Sequence, residues 1–225
     1  MKKIIEPLKI NPDLHNKKWV EEGLLHSRDG VKTNNNHGWS IIWEMAKPFV
    51  KNYRNAVDIG ARDCETSFYY HQLFDHTYCF DMNGGPYIGY NIDTKKVTYF
   101  LTALGDKNEV GYSKGAIIKT THKNSSLNKK IIRIFDDFEI EDVDFMKVDV
   151  EGFEYKVLKG AEKTIKKYFP VIVIEQNDQT FDDETRIHLG KSDRSFEATE
   201  YLISLGYKNL GEDMYKANYV FVKDE

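Results

Sequence analysis

The stretch Ala56-Val57-Asp58-Ile59-Gly60-Ala61-Arg62-Asp63 decides the fold. A short apolar strand ends in an acid and a glycine, and a helix-like segment from about Glu65 to Phe74 follows at once. That order opens a nucleotide-type cofactor site in an open α/β sheet. The backbone turns close to the ligand there, so Gly60 leaves room. The next helix N-terminus points its free N–H groups at the ligand. A second apolar run, Tyr78-Cys79-Phe80, ends in Asp81. It sits about twenty residues beyond the glycine, where a carboxylate takes two ribose hydroxyls. An adenosine cofactor is expected; these acids alone do not say which one.

The turn itself makes the choice. A dinucleotide pyrophosphate needs G-x-G-x-x-G. Here Gly60 is followed by Arg62 and Cys64 where further glycines belong. That suits NAD poorly and S-adenosylmethionine better, since the latter carries no phosphate and presents an amino-acid end. Asp58 is expected at its ammonium and the helix N-terminus at its carboxylate. An NAD-linked oxidoreductase is the second reading. A non-catalytic cofactor-binding relative is the third.

Outward from this turn, strands are expected at 55–59, 77–81, 97–101, 143–150 and 171–174, with a terminal hairpin at 207–210 and 219–222. Helical spacing marks Trp39–Asn52, Phe153–Phe169 and Phe196–Leu205. The lysine-rich stretch Lys107–Arg133 reads as a β-hairpin insertion. Strands alternating with helices imply a mostly parallel sheet covered on both faces, with an antiparallel strand at the end. Residues 1–38 read as an N-terminal cap segment and 39–225 as the domain.

Composition narrows the partners. The 225 residues are 40 % hydrophobic and 30 % charged, with a net charge of −4. That is ordinary for a soluble domain and argues against nucleic-acid and membrane-surface partners. Met1-Lys2-Lys3-Ile4-Ile5-Glu6-Pro7 has no apolar run behind its lysines, so no secretory signal is expected. Two cysteines, Cys64 and Cys79, cannot form a disulfide framework and fit a reducing cytoplasm. No zinc-type spacing is present and no metal is expected.

The second constellation is Asp144-Phe145-Met146-Lys147-Val148-Asp149-Val150-Glu151-Gly152-Phe153-Glu154. A buried strand delivers acids to its carboxyl end, where ligands lie in open sheets. Glu175-Gln176-Asn177 closes the neighbouring strand at the same edge. Asp149 first and Glu175 second are the candidates to orient or accept an acceptor hydroxyl's proton. His37, before the helix that leads into the first strand, is the third. Asp149, Glu175 and Asn177 also form a possible oxygen set for a hard cation, a reading weighed below polar substrate contacts. Trp39 or Tyr87 is a guess for an aromatic near a sulfonium charge.

Together these residues resemble the FkbM family of S-adenosylmethionine-dependent methyltransferases. The resemblance covers about Ala56 to Val222. Its parts are Val57-Asp58-Ile59-Gly60-Ala61, Asp81, Asn91-Ile92, Ala103-Leu104-Gly105-Asp106 and Phe135-Asp136-Asp137-Phe138. Lys147 to Glu154 follows, then Leu158-Lys159-Gly160-Ala161, Pro170 to Glu175, Leu205-Gly206-Tyr207 and Asn218-Tyr219-Val220-Phe221. The run K-x-D-x-E-G-x-E joined to L-x-G-A is the most specific. The resemblance implies a class I methyltransferase fold, Rossmann-like, with a seven-stranded sheet whose last strand is antiparallel. It implies methyl transfer to oxygen on a sugar, glycan or small metabolite. By matching positions, Asp58, Gly60 and Ala61 meet the methionine end, Asp81 the ribose and Leu104 the adenine. Arg62, Cys64 and an Asp rather than Glu at 81 depart from the family's usual pattern.

Overall fold

A computed structural model describes residues 6–27, 30–33, 38–114, 117–119, 128–175, 197–212 and 218–225. Helix α1 (Lys17–Glu21) and the antiparallel pair β1 (Leu24–Ser27) and β2 (Gly30–Thr33) come first, followed by helix α2 (Gly38–Ala46). The segment before them is tied to the main sheet, because the Leu8 N–H donates to the Tyr99 carbonyl at 2.7 Å.

The main body begins with β3 (Asn55–Ile59), α3 (Ser67–Leu73), β4 (His76–Asp81), α4 (Ile88–Asn91) and β5 (Val97–Leu101). An insertion follows: β6 (Ala103–Leu104), β7 (Glu109–Lys114), β8 (Ile117–Lys119) and β9 (Asn128–Arg133). Then come β10 (Val143–Val148), α5 (Glu154–Gly160), α6 (Glu162–Tyr168), β11 (Val171–Glu175), α7 (Glu197–Ser204), β12 (Tyr207–Glu212) and β13 (Asn218–Lys223). Seven strands form one sheet in the order β12-β13-β11-β10-β3-β4-β5. β3, β4, β5, β10 and β11 pair in parallel, and β13 runs antiparallel to both its neighbours. This is the α/β architecture expected from the sequence.

Strand alternation divides the core into two layers. Val57 and Ile59, Met146 and Val148, and Ile172 and Ile174 face one side, packing against Val157, Leu158, Ile165 and Leu202 of α5, α6 and α7. Ala56, Phe145, Val171 and Val173 face the other, against Ile42 and Ala46 of α2 and Tyr70 of α3. Each fully buried aliphatic side chain contributes about 1.5–3 kcal/mol. Asp58 and Lys147 are direct partners in the β3–β10 register. By alternation they share the second side, beneath the helices, as charged residues in an apolar layer.

Two expectations are corrected. The helix expected over Phe153–Phe169 is two helices, broken at Ala161. Asp136 causes the break. Its carboxylate accepts from the Lys163 N–H (2.9 Å), the Thr164 N–H (3.0 Å) and the Thr164 hydroxyl (2.7 Å), capping a new helix from outside. Close packing fixes the joint, since a Cβ on Gly160 would lie 2.1 Å from the Gly105 carbonyl oxygen. The insertion is also larger than a hairpin. β6, β9, β7 and β8 form a four-stranded sheet of their own, and Lys130 Nζ ties it to the Met82 carbonyl at 2.8 Å.

Candidate functional site

The carboxyl ends of the parallel strands surround a cavity of about 580 Å³, within the size range of small-ligand and cofactor sites. Ile59, Gly60 and Arg62 after β3 line it, with Phe80, Asp81, Met82 and Asn83 from β4 and beyond. Thr102, Ala103 and Leu104 form an adjoining wall, with Ile118 and Asn128 from the insertion. Asp149, Val150, Glu151 and Phe153 after β10 complete it with Glu175 at the end of β11. Leu104, Val150 and Phe153 give apolar surface and the carboxylates give polar ends.

Asp81 is half-buried at this wall. One carboxylate oxygen accepts from the Arg62 N–H (3.1 Å); the other accepts from the Asn83 (2.7 Å) and Gly84 (3.2 Å) N–H groups. The side chain is thereby fixed between the turns after β3 and β4. On the opposite wall, carboxylate oxygens of Asp149, Glu151 and Glu175 lie within 4.8 Å of one another. Three such oxygens could share a hard cation or bracket an acceptor hydroxyl. Glu151 joins Asp149 and Glu175 in this set, and Asn177, also expected here, lies outside the described residues.

Below the cavity floor Lys147 is almost fully buried. Its ammonium lies 3.3 Å from Asp58 Oδ1, 3.2 Å from Asp149 Oδ2 and 3.3 Å from the Gly60 carbonyl oxygen. Burial works against its charge, but Asp149 and Asp58 outweigh that and hold it protonated well above the ordinary lysine range. The same pairing acts on Asp149. Burial would raise its pKa, but Lys147, a hydrogen bond with Glu175 and the charge of Arg62 hold it below the usual carboxylate range. Asp149 is thus an ionised acceptor at the floor, suited to orienting a hydroxyl.

Glu154 works differently. Its Oε1 accepts from the Val150 and Gly152 N–H groups, both at 3.1 Å, folding the cavity-lining loop onto the start of α5. Burial pushes its carboxyl up to about 7, against the pull of those N–H groups. Glu154 holds the loop and does not line the cavity.

The expected site residues separate accordingly. Gly60, Asp81, Leu104, Asp149 and Glu175 share the cavity wall. Asp58 does not. It is fully buried, accepts from the Thr66 hydroxyl (2.6 Å) and the Ser67 hydroxyl, and faces Lys147. The strand has the bounds expected, and its alternation turns Asp58 beneath α3. Ala61 is also buried, in a cluster with Cys64, Cys79, Ile88 and Tyr99. Gly60 (φ +85°) is needed for a different reason than expected, because a Cβ there would meet the Asp149 carbonyl oxygen at 1.7 Å. The neighbouring strand tip, rather than a ligand, requires the glycine. The Tyr87 ring stacks on His26 (5.5 Å between centroids) away from the cavity lining. His37 lies outside the described residues, as does the Trp39 side chain. Lys147 is the member of the site missing from the sequence candidates, although a lysine inside an apolar strand itself signals a buried acidic partner.

A sequence model of the methyltransferase FkbM domain matches residues 48–208. No curated protein is significantly similar to the chain in sequence. Among solved structures it is similar to a methyltransferase FkbM from Methylobacillus flagellatus KT, at 17 % identity and a TM-score of 0.50. That match covers 79 % of this chain and 50 % of the other, so the chain spans half the length of this relative. A weaker likeness is to precorrin-6y C5,15-methyltransferase from Geobacter metallireducens GS-15, at 14 % identity and a TM-score of 0.44, covering 80 % of this chain and 85 % of that one. The first likeness speaks for the fold; the second is too weak to add to it. Among the described residues no helix is long and apolar enough to cross a membrane.

Proposed function

Because the chain belongs to the FkbM methyltransferase family, we propose that it transfers the methyl group of S-adenosylmethionine to a hydroxyl of a sugar, glycan or small metabolite. One observation carries this reading. A fixed Asp81 on one wall and the ionised Asp149 on the other face a single cavity at the carboxyl ends of the strands. The residues fit the donor. Asp81 is suited to ribose hydroxyls, Leu104 to the flat face of adenine, and the acids at the cavity to a cationic sulfonium centre.

The bound donor supplies an already activated methyl group. The chain's task is then alignment and exclusion of water. Asp149 accepts the acceptor's O–H, orients it and takes its proton as the oxygen is methylated, while Glu175 beside it hydrogen-bonds the Asp149 carboxylate. The net charge of −4 favours a neutral small-molecule or glycan acceptor over nucleic acid.

The test is turnover. The full chain is incubated with methyl-labelled S-adenosylmethionine and a panel of neutral sugars, glycosides and hydroxylated metabolites. Acceptor-dependent release of S-adenosylhomocysteine, with the label in an O-methyl group, is expected. Binding of NADH in preference to S-adenosylhomocysteine would move the assignment to an oxidoreductase. Donor binding without transfer across the panel would leave a cofactor-binding relative.

A further inference from the structure

The amino-acid end of the donor carries a carboxylate as well as an ammonium. Among the described residues the cavity is poor in groups to receive it, since Asp81, Asp149, Glu151 and Glu175 all repel an anion. The helix N-terminus expected to bind it does not line the cavity. α3 begins only at Ser67, and the hydroxyls of Thr66 and Ser67 turn inward to the buried Asp58. None of these three residues lines the cavity. Lys147 is beneath the floor and engaged with Asp58 and Asp149.

Arg62 remains. Among the described residues it is the only basic side chain lining the cavity. It is exposed, and its backbone is held at both ends. Its N–H donates to Asp81 at 3.1 Å, and its carbonyl accepts from the buried Tyr99 hydroxyl at 2.9 Å. It also sits at φ +45°, a left-handed conformation that disfavours any side chain. A glycine would relieve that strain, whereas arginine adds a planar fork of donors matched to a carboxylate.

We propose that Arg62 binds the carboxylate of the methyl donor's amino-acid end and so selects a donor that carries one. This rests on the donor assigned above. Asp81 then meets the ribose beside it, and the acids of the opposite wall face the ammonium and sulfonium.

Calorimetry with two ligands tests it. S-adenosylhomocysteine has the amino-acid end; 5′-methylthioadenosine lacks it. Wild-type chain should bind the first at least tenfold more tightly. Arg62→Gly suits the left-handed backbone, so thermal stability should hold or rise. This variant should lose about tenfold or more in affinity for S-adenosylhomocysteine while 5′-methylthioadenosine changes less than twofold. Arg62→Lys should recover part of the loss, since it restores charge without the fork. If Arg62→Gly binds S-adenosylhomocysteine as wild type does, the proposal is overturned. An equal loss for both ligands also overturns it, because the turn rather than the carboxylate contact is then at fault. If wild type binds neither ligand, the donor assignment itself fails, and that result is distinct from the other two.

Discussion

The turn after β3 and the turn after β10 are built from the same parts. Each joins a buried parallel strand to a helix, each contains a glycine at positive φ, and each holds non-glycine backbone there too: Arg62 and Cys64 in the first, Glu151 in the second. Each also has one acid turned inward to hold the turn, Asp58 in the first and Glu154 in the second. They differ in what they present to the cavity. The first offers a cation, Arg62, and the second offers the acids Asp149 and Glu151. The inward acids build the walls while the outward residues set the charge pattern, and Lys147 links the two turns from below.

Breaking that link should have the largest effect. Lys147→Met leaves the buried Asp58 and the half-buried Asp149 without their shared cation, and urea unfolding should show a loss of about 3–5 kcal/mol. A loss under about 1 kcal/mol would mean the two turns stand independently. Gly60→Ala attacks the contact between the two strand tips. It forces a Cβ against the Asp149 carbonyl oxygen and a side chain into left-handed backbone, and should cost about 3 kcal/mol in the same assay.

The inward acids can be told apart by pH. Glu154 titrates at about 7 when folded, against an ordinary value of 4.5. Between those values the folded chain keeps a proton that the unfolded chain has released. Its contribution therefore makes stability fall as pH rises through that window and level off above it. From pH 5 to 7.5, wild type should lose about 2 kcal/mol more than Glu154→Gln, which stays neutral throughout. Equal slopes would show that Glu154 is not the titrating group. The smallest effect is expected at the ligand. Asp81→Ala should weaken S-adenosylhomocysteine binding about tenfold, or ~1.4 kcal/mol, and unchanged affinity would remove Asp81 from the ribose.

The sheet was legible because its strands are apolar runs bounded by turn residues, as in Val171–Glu175. The placement of Asp81, Asp149 and Glu175 at the cavity was legible because each stands at or just beyond the carboxyl end of a parallel strand, where open sheets take their ligands. Asp58 lies in a strand whose bounds were expected correctly, but the bounds alone do not show which face of the sheet its side chain takes, and alternation turns it beneath α3. Ala61 was misplaced because a small apolar residue in a turn suits a ligand or a core equally well. The break at Ala161 was hidden because its cause, Asp136, lies on a distant segment. The role of Gly60 was found for the wrong reason, since the sequence does not show which neighbour crowds it.

The most direct test of the account is titration of the wild-type chain with S-adenosylhomocysteine in a calorimeter. The account predicts saturable binding at one site per chain, with dissociation in the micromolar range or tighter, and competition by S-adenosylmethionine. Absence of any heat up to millimolar ligand, from a chain shown to be folded in the same sample, would contradict it.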